Sequence, residues 1–176
     1  ERLKQANQEL ESLASTDALT GVSNRRRFLS GAEIELARAR RDGMPFAVLA
    51  LDLDHFKQTN DRHGHAAGDA VLRQFADLSV AQLRTTDLIG RMGGEEFMIL
   101  LPGQAVAAAV DVAQRIRSRV EAMHIAWPEG AITATVSIGV AAFPGDGDSL
   151  DAVFAVADAR LYEAKNSGRN RVVRGG

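Results

Sequence analysis

Two adjacent glutamates follow two glycines near the middle of the chain, and their types and spacing are suited to chemistry. Gly93-Gly94 predicts a tight hairpin turn, because glycine adopts positive φ angles at little cost and apolar residues flank the pair. Successive side chains on a strand point to opposite faces, so Glu95 and Glu96 would have different surroundings. One carboxylate can then face a metal ion or substrate while the other faces a second ligand or solvent. An ordinary polar turn is the alternative.

A further carboxylate lies near the end of an almost continuously apolar segment, residues 46–53. The segment predicts a buried strand, and Asp52 would lose hydration as the chain leaves it. Such a carboxylate needs a salt bridge, backbone N–H groups or a metal ion. Together with the acidic hairpin it predicts an all-oxygen site suited to Mg²⁺. Zinc at His63-Gly64-His65 is not expected, because the chain has no Cys.

The composition limits the functional classes. A chain of 176 residues suits one domain with a sizeable core, and the lack of Cys suits a reducing cytoplasm. The net charge of -2 argues against a general nucleic-acid binder. No segment approaches the about 20 apolar residues of a membrane span, so direct membrane contact is not expected. Because the first residue is Glu1, we expect a fragment that lacks an upstream sensor.

The N-terminal segment, residues 1–14, predicts a helical stalk. Leu3 and Leu10 share one heptad position, and Ala6 and Leu13 share the other, which indicates a coiled-coil stub of two heptads. A helix that packs on its own domain is the alternative. Cap and turn residues then form a joint, and a single domain is expected over residues 15–176.

Several scaffold elements can be predicted from periodicity. Asn24 is expected to cap a helix that reaches about residue 41, with Phe28 and Ile34 among its inward residues. Residues 55–69 read as a polar connection that opens the next helix. Further elements are expected as a helix over 104–122, an alternating strand over 132–140 and a helix over 149–165. Mixed strands and helices around a hairpin favour an α+β, ferredoxin-like palm, whose central, mainly antiparallel sheet is flanked by helices.

Asn60 and Asp69 are candidates for the floor of a base pocket. A carboxylate can accept the N1–H and N2–H₂ donors of guanine, whereas adenine lacks the amino group and has an acceptor at N1. The pair would therefore favour guanine. Each residue taken alone is more typical of a loop or a helix cap than of a base pocket.

Several motifs together resemble the GGDEF family of diguanylate cyclases. The resemblance covers nearly everything after residue 14. It rests on Gly93-Gly94-Glu95-Glu96-Phe97, Asp52-Leu53-Asp54-His55-Phe56-Lys57, Asn60-Asp61, Gly64-His65, Gly68-Asp69 and the segments 17–26 and 162–170. Glu replaces Asp at the third position of the family's name motif, which is a common variant.

The resemblance implies synthesis of cyclic di-GMP from two GTP, with release of two pyrophosphates. It implies that Asp52, Glu95 and the carbonyl of Leu53 hold Mg²⁺, with Mn²⁺ as a possible substitute, and that Glu96 completes the acidic site near the attacking 3′-hydroxyl. The remaining roles are triphosphate binding by Lys57, Lys165 and Arg169, and guanine recognition by Asn60, Asp69 and His65. Glu95, Glu96 and Lys57 are the expected catalytic residues. Since one domain holds one GTP, the resemblance also implies a homodimer.

Arg84-Thr85-Thr86-Asp87 stands at the family's spacing for an inhibitory RxxD site. A guanidinium can pair with O6 and N7 of guanine, and Asp87 can accept from its other edge, so cyclic di-GMP would inhibit its own synthesis there. A salt bridge within a turn is the alternative. Two other functions stay open: a catalytically silent cyclic di-GMP receptor, and a relaxed cyclase that also accepts ATP, against which Asp69 argues.

Overall fold

The structure, a computed structural model, describes residues 1–175, apart from the side chains of residues 11 and 12. The last residue of the expected domain, Gly176, lies outside this range. The helices are Arg2–Leu13 (α1), Arg25–Asp42 (α2), Phe56–His63 (α3), His65–Val80 (α4), Val106–Glu121 (α5) and Leu150–Asn166 (α6). The strands are Phe46–Leu53 (β1), Leu88–Gly93 (β2), Glu96–Pro102 (β3), Ile125–Trp127 (β4), Gly130–Ile132 (β5), Val136–Phe143 (β6) and Val172–Val173 (β7).

A five-stranded sheet of order β2-β3-β1-β6-β7 forms the centre of the fold. Its neighbouring strands run antiparallel, except that β6 and β7 are parallel. The central strand β1 is buried along its whole length, which explains its continuous apolar character. Its register places Asp52 opposite Glu96 of β3 and Ser137 of β6. The expected α+β palm with a mainly antiparallel sheet is confirmed.

Helices cover both faces of the sheet, and the alternation of β1 decides what each residue meets. Odd-numbered β1 residues pack in a core with α4 and α5, whereas even-numbered residues pack with α2 and α6. Asp52 continues the even-numbered series, and its carboxylate meets Lys165 of α6. Packing on both faces of β1 therefore fixes the position of the Asp52 carboxylate at the end of the sheet.

Helix α2 begins as expected and turns Phe28 to the core as expected, but one of its predicted inward residues faces solvent. The side chain of Asn24 accepts a hydrogen bond from the Arg27 amide at 2.9 Å and caps the helix. The inward placement of Ile34 was wrong, since its side chain is 71% exposed. The buried residues are Phe28, Ala32, Glu35 and Ala39. They recur every three or four positions, and Ile34 falls on the opposite side of the helix.

Two connections also differ from expectation. Most of the polar connection over 55–69 is helical, as α3 and the start of α4. Helix α3 buries none of its residues, so no apolar stripe could reveal it. The expected strand over 132–140 is divided between the β4-β5 hairpin and β6. Within residues 1–175, no helix is long and apolar enough to cross a membrane.

Candidate active site

A cleft of about 310 Å³ opens at the end of β1, where the hairpin tip, the first turn of α3 and the end of α6 meet. Its lining brings together the three residues expected at the metal and the three cations expected at the triphosphate. They are Asp52, Leu53, Glu95, Lys57, Lys165 and Arg169. Residues that are up to 117 positions apart in the sequence therefore share one opening.

Local backbone geometry directs these side chains into the cleft. Gly94 has a φ of 51°, which lets the chain reverse between β2 and β3 and present Glu95 at the tip. The Leu53 amide donates to the Glu95 carbonyl at 3.4 Å and links the tip to the end of β1. His55, with a φ of 54°, then turns the chain into α3, whose first turn carries Lys57.

Asp52 is a buried acid with competing electrostatic neighbours. Burial raises its pKa to about 6, and the charges of Glu95 and Glu96 act in the same direction. The Lys165 ammonium, whose Nζ lies 2.7 Å from Oδ2, opposes this shift. The salt bridge considered from the sequence is therefore present, and the acid still carries a raised pKa. The cleft holds more negative charge than one lysine compensates.

The donor set of the cleft fits a hard divalent cation. Three carboxylates, from Asp52, Asp54 and Glu95, line it beside Leu53, and Mg²⁺ prefers oxygen ligands. A cation there would favour the ionised form of Asp52, whose pKa is raised chiefly by burial and further by the charges of Glu95 and Glu96. Across the described part of the chain, no three acidic or histidine side chains are already gathered closely enough to hold a metal ion. The set therefore needs ligands beyond these side chains.

The expected part of Glu96 in the acidic site stays a prediction, since Glu96 lies opposite Asp52 in the β1–β3 register and its charge adds to the raised pKa of Asp52. Glu96 does not line the cleft itself. It lines a separate cavity of about 490 Å³ between α2 and α6, together with Arg25, Asp158 and Tyr162. Adjacent residues at the start of a strand point to opposite sides, which separates Glu96 from Glu95. Partial burial raises the pKa of Asp158, and Glu96 adds to the shift while Arg25 opposes it. Lys165 lines both cavities.

Comparison with known proteins agrees with this geometry. The family model described as diguanylate cyclase, GGDEF domain, matches residues 14–171. The chain belongs to this family. The expectation of a GGDEF diguanylate cyclase domain is confirmed, and enzymes of this family generally depend on a divalent metal ion.

The chain spans about a third or less of the length of two curated relatives that it matches. The response regulator PleD of Caulobacter vibrioides is 43% identical over 163 residues, which are 92% of this chain and 36% of PleD. Diguanylate cyclase DgcP of Pseudomonas aeruginosa is 42% identical over 159 residues, 90% of this chain and 24% of DgcP. The coiled coil and GGDEF domain of DgcB from Caulobacter crescentus, solved with c-di-GMP, aligns with a TM-score of 0.86 at 31% identity, covering 99% of this chain and 92% of that one.

The residues expected to read guanine lie on α3 and α4 of the GGDEF domain. Asn60 sits on α3 against Gly68 of α4, where an added Cβ would come within 1.9 Å of its Oδ1. That Oδ1 is buried and makes no hydrogen bond within the described residues. Asp69 follows Gly68, and His65 lies four residues before Asp69, on the same side of α4. The three residues are neighbours, and their role in base recognition stays a prediction.

Arg84 and Asp87 form the compact turn that was considered as the simpler alternative. Asp87 accepts from the Arg84 amide at 2.7 Å and from its guanidinium at 3.0 Å. The same guanidinium donates to the Pro102 carbonyl at 2.9 Å. Arg84 is still half exposed, so part of its guanidinium is accessible to a ligand. Product binding at this turn stays a prediction.

A network that sequence reasoning missed connects the N-terminal joint to the hairpin tip. Arg91 donates to the Gly94 carbonyl at 2.8 Å and to both carboxylate oxygens of Asp17 at 3.2 and 3.3 Å. Burial alone would raise the pKa of Asp17, but hydrogen bonds from Thr20 and the charge of Arg91 hold it below its usual value. The pattern Asp17-Ala18-Leu19-Thr20 signals only a local turn, and nothing in it identifies Arg91 as a partner 74 residues away.

Proposed function

We propose that this GGDEF domain makes cyclic di-GMP from two GTP. In each of two steps a 3′-hydroxyl oxygen bonds to the α-phosphorus of the other nucleotide, and the bond from that phosphorus to the bridging oxygen of the β-phosphate breaks. The hydroxyl proton leaves to solvent or to a carboxylate. Two pyrophosphates are released, and no oxidant or further reactant is needed.

One observation carries the proposal: three carboxylates, from Asp52, Asp54 and Glu95, and three cations line a single cleft at the sheet end. Carboxylates alone would suit a structural cation, and cations alone would suit an inert anion. Both together suit a metal-bound triphosphate, because phosphoryl transfer is catalysed chiefly by positioning and charge stabilisation. Asp52, Glu95 and the Leu53 carbonyl would hold the metal ion, which when bound would supply a lowered pKa for the attacking hydroxyl and charge neutralisation for the leaving pyrophosphate.

The cations of the cleft have separable roles in this proposal. Lys57, in the first turn of α3, and Arg169, after α6, approach the triphosphate from two elements. Lys165 already neutralises Asp52, so we infer that it turns towards the phosphates when GTP and metal enter. These charges stabilise the transition state as negative charge develops on the leaving group.

Guanine recognition is assigned to the angle between α3 and α4. The buried Oδ1 of Asn60 has no hydrogen-bond partner within the described residues, and a base donor would satisfy it. Asp69 would accept the N1–H and N2–H₂ donors that adenine lacks, so GTP is preferred over ATP. His65 lies at the start of α4 on the same side.

Two domains must face each other, because each product molecule needs two nucleotides and one domain supplies one pocket. The stalk helix α1 exposes Leu3, Leu10 and Leu13, with Leu3 84% exposed, so its expected seam is free to pair with a second copy. The solved DgcB structure that covers 99% of this chain is itself named as a coiled coil and GGDEF domain. A homodimer paired through α1 is part of the proposal.

The test is to incubate the purified chain with GTP and Mg²⁺ and identify the products by mass spectrometry. Cyclic di-GMP is expected from GTP, and no cyclic product from ATP. A cyclic product from ATP at a similar rate would overturn the base assignment. If GTP is not consumed although cyclic di-GMP binds, the domain is a receptor, the second candidate, which the accessible guanidinium of Arg84 favours.

A further inference from the structure

Asp54 is a buried carboxylate in the lining of the cleft that neither the metal nor the substrate assignments use. It is only 6% exposed. Its Oδ1 accepts from the Ser137 hydroxyl at 2.7 Å, and its Oδ2 accepts from the Thr135 hydroxyl at 2.7 Å and from the Asn170 amide at 3.0 Å. With three donors on two oxygens, the carboxylate is already satisfied, so it is poorly placed to act as a metal ligand.

The third of these bonds reaches across 116 residues to the segment that carries Arg169. Arg169 and Asn170 have φ angles of 60° and 46°, which are unfavourable for residues with a Cβ. Two consecutive residues of this kind persist only when the surroundings hold them in place. The bend is therefore a conformation that other parts of the protein must maintain.

Neighbouring elements hold this bend from two sides. On one side, Arg117 of α5 donates to Asn170 Oδ1 at 3.1 Å, and the Asn170 amide group donates to Glu121. On the other side, the Asp54 carboxylate accepts the Asn170 backbone amide. The side-chain contacts orient the Asn170 amide group, whereas Asp54 holds the backbone immediately after Arg169.

We propose that Asp54 is a positioning residue for triphosphate binding, acting through the Asn170 backbone to direct Arg169 into the cleft. The inference rests on the proposed function and deepens it. Asp52 and Asp54 lie two residues apart at the end of β1. This one chain segment therefore carries an acidic side chain of the cleft and, through Asn170, also positions Arg169. Serine and threonine hydroxyls on the β6 side fix the Asp54 carboxylate while it holds the bend.

Two probes separate positioning from general stability. The first is a GTP analogue with a methylene group between its α and β phosphorus atoms, which cannot release pyrophosphate. The second is guanosine, which occupies the base pocket and lacks phosphates. Calorimetry in Mg²⁺ gives both dissociation constants for the wild type, Asp54→Ala, Asp54→Asn and Arg169→Ala. Asp77→Ala, an exposed acid on α4, is the matched control.

Asp54→Ala is expected to raise the dissociation constant of the analogue by about tenfold, as for the loss of one hydrogen bond to a charged group. The dissociation constant of guanosine should stay within about twofold of the wild-type value. Asp54→Asn is expected to retain affinity, because its amide oxygen can accept from Asn170 while its amino group donates to Ser137. If Asp54→Ala fails to fold, Asp54→Ser replaces it, since the shorter hydroxyl can pair with Thr135 or Ser137 but does not reach Asn170.

A double-mutant cycle decides whether Asp54 acts through Arg169. In the Arg169→Ala background, Asp54→Ala should add little to the loss of analogue affinity. Additive losses, equal weakening of both probes, or unchanged analogue affinity in Asp54→Ala would each overturn the inference. If Arg169→Ala itself binds the analogue as tightly as the wild type, the triphosphate assignment in the proposed function fails instead, so the two failures are distinguishable.

Discussion

At the scale of single residues, the site depends on how Asp52 is balanced. Its burial opposes ionisation, the two hairpin glutamates oppose it further, and Lys165 favours it. The pKa of a carboxyl group under such opposing influences shifts when a cation or a polyanion enters the cleft. This explains why an acid with a lysine partner still fits a metal site.

Removing either cleft carboxylate should abolish catalysis without unfolding the domain. We expect Asp52→Asn and Glu95→Gln each to reduce cyclic di-GMP formation by at least about a hundredfold, as is usual when a preorganised electrostatic group is lost. Product is quantified by chromatography, and folding is checked by circular dichroism. Asp77→Asn, on the exposed side of α4, is the control. Normal turnover in either cleft variant would contradict the metal assignment.

The raised pKa of Asp52 predicts a pH-dependent stability difference. Because the folded-state pKa is about 6 and the ordinary value is 3.8, the folded state binds the extra proton between these values. Relative to Asp52→Asn, the wild type should therefore lose stability as the pH rises from about 4 to about 6, by on the order of 1–3 kcal/mol. Urea unfolding of both proteins without divalent ions measures this. A difference independent of pH would mean that the acid is not destabilised by burial.

Arg84 offers a residue-level test of product feedback. If cyclic di-GMP binds at the Arg84–Asp87 turn, Arg84→Ala should raise its inhibition constant by at least about tenfold, because paired guanine contacts are lost. Initial rates at several product concentrations give this constant, and basal turnover should stay near that of the wild type. An unchanged inhibition constant would leave the pair as the turn-stabilising ion pair seen in the structure.

At the scale of elements, predictability followed the strength of the local signal. Strand β1 and the hairpin were predictable because a continuous apolar run and two adjacent glycines are each compatible with few other local structures. Helix α3 was not, because a short polar helix without buried residues has no hydrophobic period. The inward placement of Ile34 on α2 was wrong, because the small residues Ala32 and Ala39 face the core while Ile34 faces solvent.

Replacing the Arg91 guanidinium, which has several N–H donors in a fixed planar arrangement, should make the hairpin tip more mobile. Lysine cannot contact the Gly94 carbonyl and both Asp17 oxygens in the same geometry. We expect Arg91→Lys to speed amide exchange over residues 93–96 and to lower product formation by about tenfold, since misplacement of a catalytic group is costly. Arg115→Lys on exposed α5 surface is the control. Unchanged exchange at the tip would show that Arg91 does not position it.

At the scale of the whole molecule, motif order predicted which residues share the cleft, whereas long-range hydrogen bonds escaped prediction. The Asp17–Arg91 and Asp54–Asn170 contacts join residues 74 and 116 positions apart. In neither pair does the local sequence around one residue indicate which distant residue it contacts. The stalk seam was predicted from two heptads, and its leucines are exposed as pairing requires.

Pairing through the stalk predicts a concentration-dependent activity. Replacing Leu3, Leu10 and Leu13 with Ser should shift the protein towards monomer and lower its specific activity in dilute solution, with recovery at higher protein concentration. Analytical ultracentrifugation and initial rates over the same concentration range measure both effects. Gln5→Ser with Gln8→Ser, outside the seam, is the control. Full activity of a monomeric triple variant would contradict a dimeric site.

The central claim is that two such clefts, one from each domain of a dimer, join two GTP molecules into one cyclic product. The most direct measurement is the ratio of pyrophosphate to cyclic di-GMP formed by the purified wild type in GTP and Mg²⁺, with Glu95→Gln in parallel. The account predicts two pyrophosphates for each cyclic di-GMP, and neither product from the variant. Bound GTP that the wild type leaves intact, or an equal ratio in both proteins, would contradict it.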